Sequence, residues 1–220
     1  MMEQQKIIDN ISERMVDDLK ARLSVGSRVS IAAASFSIYA FETLKKELES
    51  IEELRFIFTS PTFITEKVKK EKREFFIPKL NRERNLYGTD FEIKLRNQLS
   101  QKAIAKECAE WIRKKVVFKS NSSQEQMGGF LLLQNEQFNN AYLPFNEFTT
   151  TQLGIERGNN VYNFVNVLPS TMTSSYLNIF NEQWQNDEKF HDVTSKVLEY
   201  IETVYQENSP EYIYFEQGDN

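Results

Sequence analysis

The stretch from Arg28 to Phe58, RVSIAAASFSIYAFETLKKELESIEELRFIF, constrains the fold more than any other part of the chain. A run of small and apolar residues from Val29 to Ala34 is followed by helically spaced apolar residues from Phe41 to Leu48. A second apolar run covers Leu54 to Phe58. The pattern is strand, helix, strand. A connection long enough to hold a helix predicts two parallel strands in one sheet with the helix packed on its face. The near absence of polar alternation in Val29 to Ala34 fits a central strand covered on both sides. Ser35, Phe36 and Ser37 fall at the C-terminal end of that strand, where open α/β sheets place ligands. The more common role for the two serines is to cap the following helix.

The remaining elements add to this core. Ile7, Ile8, Ile11, Met15, Leu19 and Leu23 recur every three to four residues, which predicts an amphipathic helix from Ile7 to Leu23 that ends at Gly26. A second helix is expected from Phe91 to Lys115, with Cys108 and Trp111 in its apolar stripe, and it leads into a strand at Val116 to Lys119. Strands are expected at Gly128 to Leu133, Phe138 to Pro144 and Val161 to Leu168, with a loop at Thr149 to Asn160. Two helices, Thr173 to Gln185 and Glu188 to Gln206, close the chain. The expected fold is therefore α/β, a mixed sheet flanked by helices with a C-terminal helical pair. It forms one domain over residues 1–220, with an N-terminal helix (1–26), an α/β core (27–170), and C-terminal helices and tail (171–220).

Composition narrows the chemistry. A net charge of −5 argues against a protein that coats nucleic acid over its whole surface, while leaving room for a local basic face. With one cysteine, Cys108, neither an internal disulfide nor a thiolate-rich zinc site can form. No metal or cofactor is expected. The acidic, amphipathic start is unlike a signal peptide, and no apolar run approaches the ~20 residues of a membrane span. A cytoplasmic location without membrane contact is the expectation. The single histidine, His191, excludes any mechanism that draws two histidines from one chain. It lies in a helical pattern and reads as a surface helix residue.

Charge is distributed unevenly. Basic residues outnumber acids from Glu66 to Arg84 and continue onto the long helix, whereas acids dominate after Glu182. Lys69, Lys70, Lys72, Arg73, Arg82, Arg84, Lys102, Lys106, Arg113, Lys114 and Lys115 form the candidate nucleic-acid-binding set. They would contact phosphates without reading sequence, and each could equally belong to a solvated helix face. The adjacent carboxylates Asp17 and Asp18, like Glu52 and Glu53, read as solvated charge. No phosphate-binding glycine loop and no GxSxG nucleophile motif occurs.

Several strings together resemble the phospholipase D-like domain found at the N-terminus of large bacterial helicase and restriction-type ATPases. These are SIAAASFSIYAFETLKKEL, ELRFIF, CAEWIRKKV and the block PFNEFTTTQLGIERGNNVYNFV, in which Asn146, Thr149, Gly154, Asn160 and Asn163 stand where the family would place them. The closing SPEYIYF resembles the segment that joins such a domain to its ATPase. Active members of the superfamily carry HxKxxxxD, in which histidine attacks phosphorus and lysine neutralises the phosphoryl oxygens. The corresponding string here is MGGFLLLQ. Met127 replaces the histidine, Gly129 the lysine and Gln134 the aspartate.

The resemblance thus implies a module without catalytic residues that binds DNA or a protein partner, in association with a helicase-type ATPase of a defence system or mobile element. It also implies pairing into a homodimer. The alternatives are a phosphodiesterase or nuclease using a site around Ser35, Ser37, Asn146, Glu147 and His191, or a purely protein-binding regulatory domain that uses the acidic C-terminal helices.

Overall fold

A computed structural model describes residues 5–60, 90–123, 125–158 and 162–206, with the side chains of 90–99 and 205–206 outside the description. Eight strands form one mixed sheet: β1 (Lys6–Ile8), β2 (Arg28–Ala33), β3 (Glu53–Phe58), β4 (Val116–Asn121), β5 (Phe130–Gln134), β6 (Asn139–Leu143), β7 (Val165–Leu168) and β8 (Phe190–Asp192). Their order across the sheet is β1-β7-β6-β5-β2-β3-β4-β8. The expected crossover is present, since β2 and β3 pair in parallel through α2 (Ile38–Ser50), Val29 opposite Leu54 and Ile31 opposite Phe56. β3 pairs in parallel with β4, and the other pairings are antiparallel.

Period-two alternation sorts the central strands onto two cores. Val29, Ile31, Leu54, Phe56, Phe58, Phe118, Leu131 and Leu133 face α1 (Met15–Arg22), α2, α3 (Asp90–Lys115) and α5 (Thr194–Gln206). Ala32, Ile57, Phe130 and Leu132 face the single helix α4 (Ser170–Gln185), through Phe180, Tyr176 and Trp184. Cys108 is fully buried in the larger core, and that burial pushes its thiol pKa well up. It is a packing residue.

Two expectations are corrected. The helix expected at Ile7 to Leu23 is a strand followed by a shorter helix. Lys6–Ile8 pairs with β7, and α1 starts only at Met15. Local side-chain bonds break the periodicity. Asp9 Oδ1 accepts from the amides of Ile11, Ser12 and Glu13, Asn10 takes a left-handed backbone (φ 56°), and its Oδ1 accepts from Met15 N at 2.7 Å. The closing helix also splits. Phe190–Asp192 extends along β4 as β8, then Asp192 Oδ1 accepts from Thr194 N (2.8 Å) and opens α5. His191 therefore lies on an edge strand opposite Ser120 and not on a helix.

Candidate functional site

Beyond the C-terminal end of β2, the segment holding Ser35 and Ser37 lies alongside the one holding Asn146 and Glu147. A short parallel bridge, Phe36 to Phe148, holds the two segments together: Ala34 N donates to Asn146 O (2.7 Å), Phe148 N to Ser35 O (2.9 Å) and Ser37 N to Phe148 O (2.9 Å). The Phe36 and Phe148 rings stack beneath it at 5.3 Å. Ser37 is the cap of α2, its Oγ accepting from Tyr39 N at 3.2 Å. The remaining member of the alternative enzymatic set is absent from this corner. His191 on β8 is three strands from β2, about 14 Å at the usual strand spacing. His191 is thus too far to act as a base on either serine, so the five residues do not form one constellation.

The family-like block proves to be structural where it is described. Thr149 Oγ1 accepts from Gln152 N (3.2 Å), and Asn163 Nδ2 donates to Thr151 O (3.1 Å). Asn10 Nδ2 donates to Gln152 O and Asn163 O, each at 3.2 Å. Gly154, at φ 77°, lies against Asn10: a Cβ there would stand 2.4 Å from Asn10 Oδ1. The loop after β6 is thereby locked onto the N-terminal turn. Asn160 lies outside the described residues.

The string MGGFLLLQ, compared above with HxKxxxxD, leads into and forms β5. Met127 packs on the α4-side core, and Gln134 ends the strand opposite Asn139. Gly129 touches the backbone after β6. A Cβ at this position would lie 2.2 Å from Phe145 O and 2.8 Å from Phe145 C, while Phe145 N donates to Gly129 O at 3.0 Å. Both walls of the contact are main chain, so no side chain fits.

Of the candidate basic set, Lys69, Lys70, Lys72, Arg73, Arg82 and Arg84 lie outside the described residues. The α3 members divide by role. Arg113 pairs with Glu202 of α5. Lys115 Nζ donates to Ile51 O (2.7 Å) and Trp111 Nε1 to Leu48 O (2.9 Å), so two α3 side chains satisfy carbonyls at the end of α2. Lys115→Ala is expected to cost about 1 kcal/mol, read from the urea midpoint, because an ammonium leaves the negative end of α2. An unchanged midpoint would show that the cap is dispensable.

Lys106 and Lys114 are exposed and Lys102 half-buried. Lys114 borders an open groove of about 390 Å³ between α2 and α3, shared with Lys45, Glu49, Glu107 and Glu110. There Lys45 pairs with Glu107 at 3.0 Å. The groove mixes both signs of charge and is no phosphate track by itself.

Three features went unseen in the sequence. Asp18 is buried, with 7% of its surface exposed, and sits between Lys6, Arg22 and Tyr142. It is not a solvated carboxylate, although Asp17, Glu52 and Glu53 are surface ion-pair partners as expected. Arg55 of β3 is half-buried beneath α4. Lastly, Ile7 (61% exposed), Tyr162 (69%) and Phe164 (50%) gather at the β1/β7 edge, the two rings stacked at 5.5 Å. Among the described residues, no group of carboxylate, imidazole and thiol side chains has metal-holding geometry, and no helix is long and apolar enough to cross a membrane.

No family model matches the chain, and no curated protein matches it significantly.

Proposed function

We propose that this chain is a non-catalytic phospholipase D-like module that binds DNA or a protein partner, working beside a helicase-type ATPase of a defence system or mobile element. The observation that carries this reading is Gly129. The position where the superfamily holds its phosphate-neutralising lysine is closed by the Phe145 main chain, and Met127 at the histidine position cannot accept a proton. A chain with that contact uses the surface around the old motif for binding. The mixed sheet, with its parallel β2-β3-β4 centre, is compatible with the resemblance, and the basic run from Lys69 to Arg84 supplies phosphate-contacting charge. The exposed apolar edge at Ile7, Tyr162 and Phe164 favours a protein contact as well, the ATPase or a second copy, because clustered exposed aromatics are costly to leave in water without a partner.

The test is a fluorescence-anisotropy titration of single- and double-stranded DNA at low and moderate salt. Charge reversal of Lys69, Lys70, Lys72 and Arg73 is compared with the pair Lys106→Glu/Lys114→Glu. Lys115 is left intact because it caps α2. Wild-type binding that weakens steeply with salt, and at least tenfold in the quadruple variant, is the expected result. Absence of binding to either DNA at low salt removes nucleic acid and leaves the protein contact.

A further inference from the structure

Arg55 is the one half-buried cation on the α4 side of the sheet that lacks a carboxylate within ion-pair distance among the described residues. Its Nη1 donates to Asn181 Oδ1 (3.0 Å) and its Nη2 to Ser30 Oγ (3.0 Å), both neutral acceptors. Its Nε is enclosed and has no acceptor. Glu53, two residues earlier on the same face, stands 3.8 Å from Arg28 Nε. Burial lowers the guanidinium pKa, as expected of a cation with no bound counter-ion.

A second cation lies beside it. Lys119 of β4 places Nζ 5.3 Å from the Trp184 ring centroid, and Arg55 places its guanidinium 5.6 Å from the same centroid and 5.0 Å from that of Phe180. Lys119 Nζ also donates to Trp184 O (2.7 Å) and to Asp187 Oδ1 (2.6 Å), and Asp187 is exposed to solvent. Two cations share one indole, with Asp187 in ion-pair contact with Lys119 and Glu53 acting on Arg55 only beyond contact distance. Arg55 pairs across the sheet with Val117, which is 40% exposed, so the sheet face is open to solvent beside the guanidinium.

We propose that Arg55, supported by Lys119 and Trp184, seats the phosphate group of a phosphate ester at the margin of α4 over β3 and β4. Two of the five guanidinium N–H groups are used and the Nε–H is enclosed, so a tetrahedral oxyanion would accept from the second N–H of each Nη. The indole and Val117 offer apolar surface to the rest of the ester. This inference goes beyond the DNA reading, and its probe is inorganic phosphate, so the two succeed or fail separately.

The test is a ¹⁵N-resolved NMR titration of the full chain with sodium phosphate, and separately with sodium acetate, at constant ionic strength. It follows the Arg55 Nε–Hε and Trp184 indole N–H signals. Saturable shifts with phosphate, weakened at least tenfold in Arg55→Gln and absent with acetate, are expected. A purely structural clamp of α4 onto the sheet would give no saturable phosphate response. No saturation in the wild type, equal affinity in Arg55→Gln, or an equal response to acetate overturns the proposal. Should Arg55→Gln fail to fold, Lys119→Gln decides: a several-fold weaker affinity supports the seat, and an unchanged one overturns it.

Discussion

Asp18→Ala is expected to destabilise the fold by about 3 kcal/mol, because it removes a buried carboxylate that faces two cations and a fully buried hydroxyl. Lys6 Nζ donates to Asp18 Oδ1 at 2.9 Å, Tyr142 OH to Oδ2 at 2.7 Å, and Arg22 Nε lies 3.1 Å from Oδ2. Arg22 reaches on to Asn140 Oδ1 (2.8 Å), and Asn140 Nδ2 to Leu168 O (3.0 Å). One carboxylate therefore ties β1, α1, β6 and β7 together. Tyr142→Phe removes the hydroxyl that donates to Asp18 Oδ2 and should cost about 1 kcal/mol. Urea denaturation of both variants checks the ranking, and equal small losses would show that the cluster contributes nothing beyond its packing.

The same cluster sets a pH dependence. Burial alone would raise the Asp18 pKa, but the hydrogen bonds from Tyr142 and Lys6 and the charge of Arg22 outweigh it and hold the carboxyl below its ordinary value. A folded-state pKa below the unfolded one means that the stabilisation is complete above the unfolded value, about 3.9, and is lost as pH falls through it towards the folded pKa. Asp18→Asn should therefore flatten the acid limb of stability against pH. It should flatten it only in part, since Asp9 and Asp17 are also depressed, by the hydroxyl and amides of the β1–α1 turn and by Arg14 respectively.

Gly129→Ala is the second large expectation, a loss of about 3 kcal/mol and a fall in Tm of about 6–12 °C for a chain of this size. The new methyl would meet Phe145 O and C, main-chain atoms that a side-chain rotation cannot move aside. Gly128 provides the control. A Cβ there meets nothing within 4 Å, so Gly128→Ala should stay within about 0.5 kcal/mol of wild type. Differential scanning calorimetry separates the two. If Gly129→Ala melts with the wild type, the main chain yields there. A side chain at Gly129 is then tolerated and the proposed non-catalytic reading loses its main support, which makes Met127→His/Gly129→Lys/Gln134→Asp a reasonable attempt to install phosphodiesterase activity.

The central elements were legible in the sequence because they rest on local periodicity. The near-continuous apolar run at Val29 to Ala34, the amphipathic spacing of α2, and the long apolar stripe of α3 each carry their own signal, and the parallel pairing of β2 with β3 follows from the connection between them. Met127, Gly129 and Gln134 are read directly from the chain, and none of these residue types carries the chemistry of histidine, lysine or aspartate wherever it folds. The candidate site was less legible. Lys115 and Arg113 look like any surface cations until α2 and α5 are placed against α3.

What only tertiary structure decided depends on partners far along the chain. Lys6–Ile8 has a helical spacing by itself and becomes a strand because Val165–Val167 lies beside it. Phe190–Asp192 is drawn out of a helical pattern by the free edge of β4. Asp18 differs from Asp17 in nothing local. It is buried because Tyr142, more than a hundred residues later, projects onto α1 from β6. Arg55, one charged residue in an apolar strand, acquires significance only when α4 lays Phe180 and Trp184 over it. Periodicity reports which face of an element is buried, but it carries no information on which distant side chain shares that face, and the charged groups of this protein take their roles from that sharing.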